Sequence, residues 1–457
     1  MGKLNYTYYN RLKDLLLDRK TLISKIKKDL DDSYSFNSMW EMPSARKEYI
    51  EILKKILSRY SFVSYYRLKR EYKKAKREFD KKIRVVFFCY EYQTFPTFKS
   101  VYDLMKNSDD FICDLVHVPF YHTDKKYDGK KELCDYKINN YSEVIEYDEY
   151  DLSSCSPDVA FFLKPYDLIP KQYYIDEIEK VVETIIYIPY GMEIGATKES
   201  MRYQFQLPLH DKATMCISYC SKHYERAKKY SKSKGKNFYY IGHTRMDLVN
   251  EDFSSEKDYA SIVKKAHGRK IFLWNPHFTI GDGDNWGSFK LYGLDILKYF
   301  SNHKELFLLY RPHPFLEMAI ENEYKDNKEV INEYNSILRN NKDNIYVDHS
   351  GNYLISMQVS DVLISDANSF VPEYLIRNKP VIYTKKIGTT GFKNKELEKM
   401  LYICKSKEDI IKYINLLNSD NDLKASTRVK DIKRVFKYNK NKSVSKQIIQ
   451  LIKERYN

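Results

Sequence analysis

The sequence predicts an α/β protein: two doubly wound parallel sheets facing a cleft, preceded by a helical N-terminal extension. Three observations predict it. Short buried-strand runs, such as Ile83–Cys89 (IRVVFFC) and Val362-Leu363-Ile364, recur along the chain with helical or loop segments between them, as in a sheet whose faces are covered by helices. These runs fall into two sets on either side of a charged stretch, Asp247–Lys265. The polar clusters follow directly on strands, where open parallel sheets bind ligands. At 457 residues the chain also exceeds one ordinary core.

Residues 1–82 read as helices. Leu12, Leu15, Leu16, Leu22, Ile23, Ile26 and Leu30 keep helical spacing; after a break around Ser33–Pro43, Tyr49, Ile52, Leu53, Ile56 and Tyr60 repeat at three and four. This segment carries 22 Lys/Arg against 11 Asp/Glu, whereas the rest of the chain carries 56 against 52. The net charge of +15 is therefore concentrated at the N-terminus. A basic helical extension suits an anionic membrane surface, a nucleic acid, or a solvated or self-associating face. No zinc-finger, RNA-recognition or helix-turn-helix signature accompanies it, so nucleic acid is not expected.

From Ile83 the strand runs begin. The first set comprises Ile83–Cys89, Asp114–Pro119, Val159–Leu163, Thr184–Ile188 and Phe238–Ile241, with a helix over Phe98–Met105. Asp247–Lys265 is the expected interdomain linker. The second set comprises Lys270–Trp274, Leu306–Tyr310, Ile345–Val347, Val362–Ile364 and Val381–Tyr383. Its expected helices are Phe289–Phe300, Glu329–Arg339, Tyr353–Val359, Phe370–Arg377 and Lys407–Leu417, and the basic tail Leu423–Arg455 reads as helical. There is no internal repeat. No stretch approaches the 18 or more apolar residues of a membrane span, and the N-terminus lacks a secretory apolar run. Seven scattered cysteines fit a reduced, cytoplasmic protein. Cys216, Cys220 and His223 have a faintly metal-like spacing, without a second pair.

Four strand-end clusters stand out: Tyr187–Met192, Trp274–Phe278, Leu309–Pro314 and Ser365–Ser369. Arg311 and His313, in a loop stiffened by Pro312 and Pro314, place a guanidinium and an imidazole where a diphosphate gains charge as its bond breaks. His277 sits in a similar place, with loop packing as the alternative. Ser365, Asp366 and Ser369 lie where helix N-termini offer N–H groups to anions. Glu373, seven residues after Asp366, would hold a ribose diol or be a solvated helix carboxylate. Tyr190-Gly191 is a site element or a plain turn. Asp282-Gly283-Asp284, within GDGDNWG, is a surface or lid turn or else a Mg²⁺ site. No GxxxxGK[ST], GxGxxG, HExxH or GxSxG pattern is present.

Together these residues resemble the CDP-glycerol glycerophosphotransferase family, the teichoic-acid-type polymerases and primases of the GT-B fold, over roughly residues 83–420. Gly242-His243-Thr244-Arg245-Met246-Asp247 is similar to the family's Gly-x-Pro-Arg-x-Asp segment, with Thr244 in the proline's place. Arg311-Pro312-His313 resembles its Arg-x-His loop, whose histidine supports the leaving group. Ser365-Asp366-Ala367-Asn368-Ser369 with Glu373 resembles its phosphate- and ribose-gripping signature. Where the family has a His-Gly whose histidine is taken as general base, this chain has Tyr190-Gly191; a tyrosine near its ordinary pKa of about 10 is a poor base at pH 7.

Three parts are expected: the basic helical extension (1–82) read from charge and periodicity and, with the resemblance, an N-terminal Rossmann-like acceptor domain (83–247) and a C-terminal Rossmann-like nucleotide-donor domain with C-terminal helices (248–457). The resemblance implies phosphate and nucleotide contacts from Arg245, Arg311, Ser365, Asp366, Asn368, Ser369 and Glu373, and catalytic roles among His313, Tyr190 and His277. The expected reaction moves a phosphopolyol or sugar from a CDP- or other nucleotide-activated donor to a surface-polymer or lipid-linked hydroxyl. The donor is a substrate, and no cofactor or metal is implied. The expected location is the cytoplasm or the inner face of the plasma membrane, with an anionic surface as partner of residues 1–82. Two alternatives stand beside it: a nucleotide-sugar glycosyltransferase of capsule or lipopolysaccharide synthesis, and a non-enzymatic membrane- or nucleic-acid-associated protein.

Overall fold

The computed structural model describes residues 82–456 except 122–128, 139–140, 193–196, 282–285, 351, 390, 393 and 440. The helices expected over residues 1–81, and with them the membrane-surface expectation, lie outside the described residues, as does Asp282-Gly283-Asp284.

Two parallel sheets form, as the sequence predicts. The first has seven strands: β1 Ile83–Cys89, β2 Phe111–His117, β3 Ile145–Glu146, β4 Val159–Phe162, β5 Thr184–Tyr187, β6 Met215–Ser218 and β7 Phe238–Tyr240. Their spatial order is β3-β2-β1-β4-β5-β6-β7. The second has six: β8 Ile271–Asn275, β9 Phe307–Tyr310, β10 Ile345–Val347, β11 Val362–Ser365, β12 Val381–Thr384 and β13 Tyr402–Cys404, in the order β10-β9-β8-β11-β12-β13. Each sheet reverses its winding direction beside its first strand, between β1 and β4 and between β8 and β11. Those switch points are where doubly wound sheets open a crevice.

The strands form because their runs are apolar on both faces. Every residue of β4, β5, β8, β9 and β11 is buried, which suits helix-covered parallel strands. Phe87 of β1 stacks on Phe161 of β4 with centroids 4.5 Å apart, and Phe98 and Tyr102 of the helix Pro96–Lys106 meet Phe87 edge-on.

Three short strands, β3, β6 and β13, escape the sequence pattern. The expected linker is also structured: Thr244–Asn250 is a 3-10 segment and Lys257–Ala266 a helix. Only Ile262 and Ala266 of that helix are buried, so its sequence reads as uniformly charged.

The chain's last helix, Val444–Tyr456, returns to the first sheet, where Val444, Ile448 and Ile452 join its core. The Asp247 carboxylate caps that helix, accepting from the backbone N–H groups of Val444 (2.9 Å) and Ser445 (2.8 Å). The segment Thr244–Asn250 thus ties the tail to the body. Its Met246 and Leu248 pack in the second core, while Thr244 and Arg245 bond Thr97 of the first.

Candidate active site

The loops after β8, β9 and β11 meet at the switch point of the second sheet and hold one another through buried polar groups. Asn275, the last residue of β8, donates its side-chain amide to the Arg311 carbonyl after β9 (2.9 Å). Its own carbonyl accepts from the Ser365 hydroxyl (2.9 Å) and the Asn368 amide (3.2 Å). Asn368 also accepts the Phe370 N–H through Oδ1 (2.9 Å), turning the chain into the next helix. Asp366 is the hub. It is 1% exposed and accepts the backbone N–H groups of His277 (3.0 Å) and Ser288 (3.0 Å). Burial pushes its carboxyl up to about 6 despite those bonds.

Ser365 and Asp366 therefore spend their polar atoms inside the protein. Ser369 is different. It faces the first domain, and a Cβ built on Gly191 would lie 3.3 Å from the Ser369 Cβ and 3.4 Å from its Oγ. The Tyr190-Gly191 turn after β5 thus abuts the loop after β11, and a side chain at position 191 would press on Ser369. The helix that Ser369 starts, Phe370–Ile376, has seven residues, so its dipole adds little to any anion there.

His277 and His313 are neighbours at the switch point. Their ring centroids are 5.8 Å apart, and Phe278 touches both, stacked 4.6 Å from His277 and tilted 4.5 Å from His313. The His313 Nδ1 accepts the Phe315 N–H (3.2 Å), and the His277 Nδ1 accepts the Thr279 N–H (3.3 Å) and meets the Thr279 hydroxyl (2.9 Å). Accepting at Nδ1 places the proton of a neutral imidazole on Nε2. Burial lowers His313 to about 4; burial and then its His313 neighbour lower His277 to about 3. Both rings are thus neutral Nε2–H donors near pH 7.

Arg311 lies beside them with its charge already answered. Its guanidinium bonds the Asp348 carboxylate (2.6 Å) and the Ser350 carbonyl (2.6 Å) of the loop after β10. Burial alone would raise Asp348, but Arg311 and the Ser356 and Ser350 hydroxyls hold its carboxyl below the usual range.

Arg245 and Glu373 form a second, buried centre between the domains. They are 6% and 2% exposed and pair at 3.1 Å. The other Glu373 oxygen accepts from Tyr353 (2.9 Å), whose hydroxyl burial keeps far above its ordinary pKa and so protonated. Arg245 Nε donates to Thr97 (2.9 Å), and Thr97 donates onward to the Tyr190 carbonyl (3.2 Å). A ribose diol at Glu373 would have to displace one of these partners. His243 pins the preceding residue, donating through Nε2 to the Pro189 carbonyl (2.8 Å).

On the first domain's side the sequence reading missed a pair at the switch point. Glu91 follows β1 and Lys164 follows β4. Their side chains meet at 2.5 Å, with the ammonium 3.7 Å from the Phe120 ring centroid and 5.5 Å from that of Tyr190. Asp348, after β10, was missed too. The strand-end rule that singled out His277 and Arg311 applies equally to all three. The Cys216–His223 spacing has no metal geometry. The Cys216 thiol lies against the His210 carbonyl, and the His223 ring meets the Ser218 hydroxyl at 2.9 Å. No His, Cys, Asp or Glu group among the described residues could hold a metal ion. No helix among them is long and apolar enough to cross a membrane.

Comparison with known proteins fits this geometry. The profile of the family described as CDP-Glycerol:Poly(glycerophosphate) glycerophosphotransferase matches residues 195–454. Among solved structures, a histidine-to-asparagine variant of the wall teichoic acid polymerase TagF soaked with CDPG is 15% identical, with a TM-score of 0.52 and coverage of 90% of this chain and 98% of that one. The S. aureus MnaA–UDP structure is 13% identical, with a TM-score of 0.54 and coverage of 82% and 97%. UDP-GlcNAc 2-epimerase from Neisseria meningitidis, bound to UDP-GlcNAc, is 12% identical, with a TM-score of 0.52 and coverage of 81% and 100%. At these identities the likeness is one of fold. A comparison with curated protein sequences gives no match.

Proposed function

We propose, from the premise that this chain belongs to the CDP-glycerol:poly(glycerophosphate) glycerophosphotransferase family, that it moves a glycerol-phosphate-like phosphopolyol from a CDP-linked donor to a hydroxyl of a teichoic-acid-type polymer or lipid-linked acceptor. The observation that carries the reading is the pair of neutral Nε2–H donors, His277 and His313, side by side at the switch point. Two such donors suit the oxygens of a diphosphate, and they strengthen as negative charge gathers on the leaving nucleoside monophosphate.

In this reading Ser369 contacts the donor phosphates at the domain junction. Asn368, Ser365 and Asp366 hold the loop in shape, and Arg311, anchored by Asp348, lends positive potential from behind it. Arg245 and Glu373 set the distance between the domains. Tyr190 orients the acceptor hydroxyl. His277, with its proton already on Nε2, is a donor and not the base. The acceptor proton passes to Glu91, whose carboxylate Lys164 positions at the crevice of the first sheet. The acceptor oxygen then bonds to the glycerol-bearing phosphorus, and the bond from that phosphorus to the CMP oxygen breaks.

The test is product identity. With CDP-glycerol and a poly(glycerol phosphate) primer, ³¹P NMR should show CMP released as phosphodiester grows. A sugar transferase of the same fold would instead consume a UDP- or GDP-sugar and release the nucleoside diphosphate. That outcome would overturn the phosphotransfer reading.

A further inference from the structure

The edge of the second sheet opposite the crevice carries a feature that donor chemistry does not use. The segments entering β8, β9 and β10 enclose a depression of about 410 Å³ lined by Lys265, His267, Arg269, Lys304, Lys342 and Asp343. Four of the six are permanent cations and one is an acid. None of the four cations has an ion-pair partner among the described residues.

Their hydrogen-bond partners are neutral, so their charge is left uncompensated. Lys304 donates to the side-chain oxygens of Asn341 (2.6 Å) and Asn344 (3.2 Å). Lys265 lies 5.1 Å from the Tyr346 ring centroid. Arg269 is the frame. It donates to the carbonyls of Lys265 (2.8 Å), Ala266 (2.8 Å), Lys304 (3.0 Å) and Asp343 (2.7 Å). One guanidinium thereby fixes three strand-entry segments and masks four carbonyls that would repel an anion.

We infer that this depression binds a chain of phosphodiesters: a stretch of the growing poly(glycerol phosphate) already past the crevice. The choice among polyanions follows from the lining. No apolar side chain lines it, so a bilayer has nothing to receive, and its one ring, the His267 imidazole, is no platform on which successive nucleic-acid bases could stack. Separated ammonium groups around a concave wall match monoanions spaced along a flexible polyol. Such a site holds the product near the enzyme between transfers, because tethering raises its effective concentration at the crevice. The identity of the polymer rests on the transferase reading; the anion site itself does not.

The experiment compares full-length protein with a Lys304→Glu/Lys342→Glu variant, which alters exposed side chains remote from the crevice. Binding of poly(glycerol phosphate), of glycerol 3-phosphate and of vesicles of phosphatidylglycerol and phosphatidylcholine in equal parts is measured, with CDP binding as the fold control. Polymer affinity is expected to fall about tenfold or more in the variant, with a shallower salt dependence. Monomer binding should be weak in both proteins, and vesicle and CDP binding should be unchanged. Equal polymer affinity in the two proteins, or failure of the wild type to bind polymer, overturns the inference. A variant defect confined to vesicles assigns the surface to membrane and also overturns it. Loss of CDP binding by the wild type while the polymer result holds would count against the donor reading alone.

Discussion

Removing either member of the Arg245–Glu373 pair should destabilise the protein far more than removing both. The two groups are 6% and 2% exposed, so Arg245→Met leaves the Glu373 carboxylate with Tyr353 as its one remaining hydrogen-bond partner and the Arg377 charge nearby. Breaking a buried pair from one side costs about 3–5 kcal/mol, because the surviving charge stays desolvated. Glu373→Gln should fall near the lower end, since the amide keeps an oxygen for Arg245. The double variant Arg245→Met/Glu373→Leu removes both charges. It leaves the Tyr353 hydroxyl and the Thr97 hydroxyl each short of one bond, at about 1 kcal/mol apiece, and takes from the half-buried Arg377 the acid beside it. It should therefore lie within about 2 kcal/mol of wild type, with a coupling energy of at least about 2 kcal/mol. Urea unfolding gives the cycle, followed by far-UV circular dichroism and, in a Trp40→Phe background, by tryptophan fluorescence from Trp274 and Trp286 of the second domain. In the single variants the two probes should separate, because the pair joins the domains. Single-variant losses under about 1 kcal/mol, or additive losses, would refute the reasoning.

Three further predictions follow from the same geometry. Glu91→Gln should lower kcat by about 10²- to 10⁴-fold and leave CDP binding intact, as read by steady-state CMP release and titration calorimetry; Tyr190→Phe should cost about tenfold. Gly191→Ala puts a methyl 3.3 Å from Ser369 and should cut turnover by up to about 10²-fold through misplacement across the cleft, while unfolding midpoints move little. Stability should fall as pH drops below about 6.5. Burial lowers His210, His223, His243 and His277 to about 3 and His313 to about 4, so the unfolded chain takes up protons that the folded one refuses, at about 1.4 kcal/mol per pH unit for each. Asp366, raised to about 6, works in the opposite direction between about 4 and 6, so the net slope should approach that of four histidines there. Urea midpoints across pH 5–8 measure it, and a flat profile would contradict the burial of these rings.

Much of this was legible in the chain. Ile83–Cys89 and Ile345–Val347 read as strands over the residues that form them, because branched and aromatic residues fill both faces. β6, Met-Cys-Ile-Ser, has one β-branched residue in four, and β3 has two residues in all, so neither leaves a periodic trace. Within the candidate site, strand ends announced His277, His313 and the Ser365–Ser369 loop. What the sequence could not show is which polar atoms turn inward. The Asp366 carboxylate and the Arg311 guanidinium sit at ligand-binding positions yet bond backbone and an acid contributed by distant loops. The partnership of Arg245 with Glu373 spans 128 residues, and no local spacing encodes it.

Titration calorimetry of the purified protein with CDP, UDP, GDP and CDP-glycerol, repeated with His313→Ala, tests the central claim most directly. The account predicts that cytidine ligands bind in preference to the others and that the variant loses about tenfold or more in affinity, roughly 1.4 kcal/mol. Absence of binding by any nucleotide at millimolar concentration, or equal binding by wild type and variant, would contradict it.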